Sequence, residues 1–407
     1  MKEINLLDFV EGDWYVKLDD KLIKDLINGS INKLGSRKNL SKYLRINDSA
    51  ISRWLGRDKN RDTMPSYDNV KKLSRLNKIP LREIKKKILG IKSTSESNFL
   101  SITKLKLSPE LVRSISFIIG DGDLGRTHVR FSNSDKLSVK SVLTDLINSF
   151  NLKVKPYFTL TYPRHFNQNE VKDSIKEWEL ELGYKINRVY EKHITSILGI
   201  PFKSKKEFVE VSFFSLTLPL IIKKILPIVK QESLRNKFLG IGYLQGIYSS
   251  EGSISYRKEN QMRMIQLSMK NNEEVAYVSK LLDFLKIRNS GVKFFEKSNS
   301  WYITISGREN IERSFDIDIF GINSGRKLKL EEVIKGYQRY QVSPLNKDVR
   351  YLQIIKIIDR DIFDSFEISK KLNMSLIRTQ ILLKKGFDDG VWDRTWNGSK
   401  FLYEKNR

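Results

Sequence analysis

Two apolar runs stand out from the alternation of hydrophobic and polar residues along the chain. Residues 111–125 read LVRSISFIIGDGDLG and residues 241–254 read IGYLQGIYSSEGSI. Each has the spacing of a helix, carries small residues at every fourth position and ends in an acid followed by glycine. In the first run Val112, Ser116 and Gly120 precede Asp121-Gly122; in the second, Gly242, Gly246 and Ser250 precede Glu251-Gly252. Residues four apart share one helix face, and a face of small residues lets two backbones approach closely. If the two faces pack together, Asp121 and Glu251 meet at one end. There they repel each other and the negative ends of their helices. A divalent cation relieves such repulsion, so the pattern points to a metal site.

The segments after the two acids repeat as well. Asp121 leads into a glycine-bearing hairpin with Val129 and Phe131 alternating, then an amphipathic helix through Leu137, Val142, Leu146 and Phe150. Glu251 leads into a second hairpin with Ile265 and Leu267 alternating, then the matching helix EEVAYVSKLLDFLKI. Ser132 corresponds to Ser268, Val139 to Val275, Val142 to Val278 and Leu146 to Leu282, and each half continues into a strand and a helix. The spacing predicts a duplicated, pseudo-twofold α+β core over residues 96–340, with halves at about 108–230 and 236–340. Residues 155–207 read as a loop-rich insertion in the first half only.

The flanks have a different periodicity. Residues 1–95 predict an all-α domain in which SRKNLSKYLRINDSAISRWLGR has the helix-turn-helix pattern. Leu40 and Leu44 lie inward on its first helix, and Ile51, Trp54 and Leu55 on its second, with Asp48 or Ser49 as N-cap. Ser49, Ser52 and Arg53 then point outward toward base edges, with Arg57 and Lys59 near phosphates. This order resembles the Cro/repressor type of domain. Residues 82–107 have the composition of a linker. Residues 347–407 resemble a winged helix-turn-helix, with Ile368, Leu372, Met374, Ile377 and Leu382 as core and a wing over residues 392–403.

Composition narrows the chemistry. The 407 residues carry 74 Lys and Arg against 48 Asp and Glu, a net charge of +26 spread along the whole chain. Such a field favours a polyanion; nucleic acid is the leading partner and an anionic membrane surface the alternative. No apolar run approaches the ~20 residues of a membrane span, and MKEINLLDFVEGDW has neither a basic n-region nor a long apolar h-region, so a secretory signal is not expected. The expectation is an intracellular, cytoplasmic and nucleoid-associated protein. The absence of cysteine removes zinc fingers and thiol nucleophiles, and three histidines are too few for a histidine cluster. Catalysis must lean on carboxylates, which suits Mg²⁺ or Mn²⁺.

Together, FIIGDG and LQGIYSSEG with their hairpins resemble the two motifs of the LAGLIDADG (dodecapeptide) homing endonucleases, over about residues 108–340. The resemblance implies two αββαββα halves joined through the motif helices, with sheets that saddle double-stranded DNA. It also implies that Asp121 and Glu251 hold divalent cations at the scissile phosphates; a register slip would put Asp123 in that place. Lys237, Lys327 and Lys329 are candidate catalytic lysines. Strands over 127–131, 262–268 and 301–306 would face DNA, with Arg126, Arg130, Arg257, Arg263 and Gln266 best suited to bases or phosphates. One chain holding both motifs is expected to act as a monomer. With no Cys and a C-terminal KNR, an intein is not the expected reading. The implied function is a free-standing, site-specific endonuclease. The alternative is a transcriptional regulator that binds DNA on this scaffold without cutting it.

Overall fold

A computed structural model describes residues 2–56, 64–94, 98–192, 206–257, 262–336, 347–358, 361–372, 374 and 376–405. At its centre lie two helices, Pro109–Asp121 and Lys237–Glu251. The first starts where Ser108 accepts the backbone N–H of Leu111 and Pro109 supplies a preset first turn. The second starts at Asn236, whose side chain accepts from Phe238 and Leu239. They pack through their small residues. A Cβ placed on Gly246 would lie 2.0 Å from both the Arg113 carbonyl oxygen and Ser116 Oγ, and one on Gly242 would lie 2.5 Å from the Pro109 carbonyl. At the other end, a Cβ on Gly120 would lie 2.0 Å from Ser250 Oγ.

Around this seam the second half runs helix, hairpin, helix, two strands, helix, and the first repeats that order with a helix and a strand inserted between its last two core strands. The first half has a five-stranded sheet in the order Gly122–Leu124, His128–Asn133, Phe208–Phe214, Tyr157–Pro163, Arg188–Lys192. The second has four strands in the order Gly252–Arg257, Met262–Met269, Ser300–Ser306, Lys293–Phe295. The helices Lys136–Phe150 and Asn272–Phe284 correspond, and Val139, Val142 and Leu146 are buried like Val275, Val278 and Leu282. One continuous apolar cluster runs from Ile4 to Val333.

Three expectations need correction. The region expected to be an all-α N-terminal domain contains strands. Glu3–Asn5 pairs with Lys104–Lys106, and Tyr15–Leu18 with Ile88–Lys92. Their alternation of exposed and buried positions is only three to five residues long, short enough to pass for a helical turn. The 82–107 stretch is therefore no simple linker, since Ile88, Ile91, Leu100, Leu105 and Leu107 are buried in the main cluster. Nor is 155–207 merely loop-rich. It contains a core strand, Tyr157–Pro163, a helix, Gln168–Leu182, and an added strand, Arg188–Lys192. That strand runs parallel to its neighbour, so it needs a long crossover, which the helix provides.

Helices Asp20–Leu34, Arg37–Leu44, Asp48–Trp54 and Tyr67–Asn77 make up the N-terminal helical part. Leu40, Leu44, Ile51 and Trp54 are buried as expected, while the N-cap falls on Asn47. At the other end, helices Ser365–Lys371 and Leu376–Asp388 pack with a three-stranded sheet around Phe363, Trp392 and Tyr403. Leu383 lies in this core and Ile377 is 71% exposed, because the buried face is set by Thr379, Leu382, Leu383 and Gly386. Asn373 and Ser375 lie outside the described residues. No helix among the described residues is long and apolar enough to cross a membrane.

The seam predicts its own fragility. Gly246→Val forces a branched side chain against the Arg113 carbonyl, so overpacking costs about 1–3 kcal/mol or more. The midpoint of thermal unfolding should fall measurably, whereas Gly325→Ala, at an exposed position with only the Asn323 side chain 3.9 Å away, leaves it unchanged.

Candidate functional site

The two motif helices deliver their acids to one place. Glu251 Cγ lies 3.0 Å from where a Cβ would stand on Gly120, the residue before Asp121. Both carboxylates are half-buried at helix C-termini. Burial, and then the charge of Glu251, raises the Asp121 pKa to about 7; the Asn133 hydrogen bond and Arg326 oppose the rise. Burial also raises Glu251, again opposed by Arg326. Burial is thus the larger obstacle to ionising either acid, and at neutral pH Asp121 is only partly ionised.

Neighbouring side chains fix this pair in place. Asn133 Nδ2 donates to Asp121 Oδ2 at 2.7 Å, while its own oxygen accepts the Asp135 backbone N–H. Arg326 donates to the carbonyls of Tyr248 (3.1 Å) and Ser249, and Asn323 donates to Ser249 at 3.2 Å. The Ser249 carbonyl gains partners from both side chains at the helix end, while the Tyr248 carbonyl also accepts the Gly252 N–H. These bonds also hold a guanidinium beside both acids. Asp135, in the first half, accepts from the backbone N–H and hydroxyl of Ser324 in the second, tying the halves together beneath the site.

Arg326 and Asn133 were not among the residues expected from sequence. Arg326 had one legible signal: it sits in the first turn of helix Ser324–Lys335, where the helix dipole disfavours a cation. The expected lysines fare worse. Lys237 begins the helix that ends at Glu251, and 14 residues at 1.5 Å each place it about 21 Å away along the axis. Lys327 is paired with Asp318 at 2.7 Å. Lys329 is exposed, one turn beyond Arg326. Asp123 stands outside the pair: it lies on the strand after Asp121 and bonds His128 at 3.0 Å and Arg130 at 3.3 Å.

The sheets present their polar faces outward. On the first, His128, Arg130, Tyr157, Thr159, Thr161, Arg188, Tyr190, Phe208, Glu210, Ser212 and Phe214 line an open concavity. Arg130 lies within it, 3.7 Å from Glu210, and Arg126 is exposed at the hairpin end. On the second sheet, Gln266 shares the outer face with Ser253 and Thr304, its cross-strand partners. Arg263 does not. Strand side chains alternate, so Arg263 falls on the opposite face, where it donates to the Gly336 carbonyl at 2.7 Å and packs on Tyr256. This corrects its expected place among the DNA-facing side chains. The Arg257 side chain lies outside the described residues, as do Arg57 and Lys59. In the N-terminal part Ser49 is exposed and bonded to Arg53, while Ser52 accepts from Arg37 at 2.8 Å.

No family model matches the chain, and no curated protein matches it. Among solved structures it is similar to the homing endonuclease I-DmoI in complex with DNA and Ca, at 16% identity over 56% of this chain and 98% of that one, with a TM-score of 0.35. It is also similar to full-length DUF199/WhiA from Thermatoga maritima, at 15% identity over 69% of this chain and 92% of that one, TM-score 0.35. The N-terminal LAGLIDADG domain of DUF199/WhiA aligns at 19% identity over 57% and 86%, TM-score 0.30.

The raised Asp121 pKa sets a pH dependence. Its folded form favours the proton, so the ionised group costs stability, fully above about pH 7 and not at all below its ordinary 3.8. In EDTA, Asp121→Asn should therefore unfold at a higher temperature than the parent at pH 8, with the gap closing toward pH 4. Melting curves across that range check it; a variant less stable at pH 8 would contradict the electrostatic account.

Proposed function

We propose that this chain, whose duplicated αββαββα core has the LAGLIDADG fold, is a site-specific DNA-binding protein that cuts both strands with a divalent metal. One observation carries the reading: two carboxylates, one from each half, meet half-buried at the ends of the two packed motif helices. The +26 charge supplies the attraction to the duplex.

The donor set fits Mg²⁺ or Mn²⁺. Such ions take one or two carboxylates and fill the rest of their shell with water and phosphate oxygens; here those carboxylates are Asp121 and Glu251. Among the described residues no group of three or more His, Cys, Asp or Glu side chains is placed to hold a metal ion, so these two acids are the protein's own donors. When bound, the cation supplies charge neutralisation at the scissile phosphate and a lowered pKa for an attacking water. The protein's own part is positional. Asn133 orients Asp121, Arg326 fixes the end of the second motif helix, and the seam sets the separation of the acids. Arg126, Arg130 and Gln266 contact phosphates and base edges. Because one chain contains both halves, a monomer is the expected active form. The helices carrying Ser49 and Arg53, and the C-terminal winged unit, add duplex contacts on either side.

A second reading has its own support. Arg326 already stands beside both acids and offsets part of their charge. A protein that binds DNA without cutting it is served by such a built-in cation. Incubation of the full chain with a randomised duplex library in Mg²⁺ or Mn²⁺ separates the two. The nuclease reading expects a discrete cleaved sequence, with the rate reduced roughly 100-fold or more by Asp121→Asn or Glu251→Gln, as the loss of several kcal/mol of charge stabilisation requires. A footprint that survives EDTA, ignores both substitutions and comes with no cleavage would establish the regulator instead.

A further inference from the structure

The two halves end differently at their outer edges. In the second half the sheet stops at Lys293–Phe295, three strand steps from the strand that leaves Glu251. In the first it continues one strand further, to Arg188–Lys192, four steps from the strand that leaves Asp121. At ~4.8 Å per step these edges lie about 14 Å and about 19 Å from the hairpin strand beside the acids. The additional strand carries the polar face outward without a break. Its register sets Arg188 opposite Thr159 and Tyr190 opposite Thr161, so both stand in the same concave face as Arg130 and Glu210.

The chemistry of that edge is specific. Arg188 is exposed, and its guanidinium lies 4.1 Å from the centre of the Tyr190 ring. A guanidinium drawn to an aromatic ring keeps in-plane N–H donors that can point at a further acceptor. Its planar fork matches the paired O6 and N7 acceptors of guanine in the major groove. Lysine, a flexible point charge, cannot reproduce it.

We infer that the strand Arg188–Lys192 lengthens the DNA-reading face of one half only, with Arg188 as a guanine-reading residue at the outer end of that half-site. The target is then read asymmetrically: a longer arm under the first half and a shorter one under the second. This rests on the DNA-binding reading above and adds to it a specificity determinant that the duplication itself does not contain.

Selection of bound duplexes from a randomised library by the full chain, in EDTA so that cutting plays no part, tests it. The parent should enrich a site with unequal arms. Arg188→Ala should erase the base preference at the outermost one or two positions of one arm and weaken binding to the parent site on the order of 10-fold, with unchanged melting temperature. Arg188→Lys should keep much of the affinity yet lose the same preference. An unaltered sequence profile in Arg188→Ala, or a loss spread equally over all sequences, would overturn the inference while leaving DNA binding intact. A parent that enriches no sequence would overturn the DNA-binding reading itself, and the inference with it.

Discussion

Everything else in the molecule depends on how closely two helices can approach. Gly242, Gly246 and Gly120 leave no room for a side chain against Pro109, Arg113 and Ser250, so backbone meets backbone along the seam. That contact fixes the separation of the halves. It also fixes the separation of the two acids, because each is the last residue of its helix. Packing and chemistry are thus one constraint: a larger residue at the seam would loosen the core and spread the carboxylates together.

The cost of that arrangement is electrostatic. Two carboxylates near helix C-termini, half-buried, oppose ionisation, and burial outweighs the mutual repulsion as the cause of the raised Asp121 pKa. The chain offsets this with Asn133 and Arg326 but not completely. Arg326 is bound first to the Tyr248 and Ser249 carbonyls, and its effect on the acids is a consequence of that cap. A guanidinium with this double task neither replaces a metal nor excludes one. It lowers the cost of holding the two acids half-buried in the folded state.

The central architecture was legible because it is periodic twice over. Small residues at four-residue spacing mark the seam, and the same acid, hairpin and helix recur, with Val139, Val142 and Leu146 matched by Val275, Val278 and Leu282. What escaped was short or non-local. The N-terminal strands are three to five residues long, and their partners lie about a hundred or seventy positions away, so no local period reveals them. Strict alternation along one strand puts Gln266 outward and Arg263 inward, a distinction that residue type alone does not carry. Lys237 is near the second motif in sequence, yet it stands at the far end of a fifteen-residue helix from Glu251.

Duplication explains why error and surprise gather at the edges. The seam must match itself, since each half supplies one helix and one acid to a shared contact, and a change on one side meets the other at once. Outer strands have no such partner. An edge strand presents unpaired backbone groups that accept another strand, and the first half has used that freedom through a crossover helix and one parallel addition. Pseudo-symmetry is therefore held at the chemistry and released at the periphery. Under the proposed function, a pseudo-symmetric centre would treat two strands of a duplex alike while unequal sheet edges distinguish one end of the site from the other.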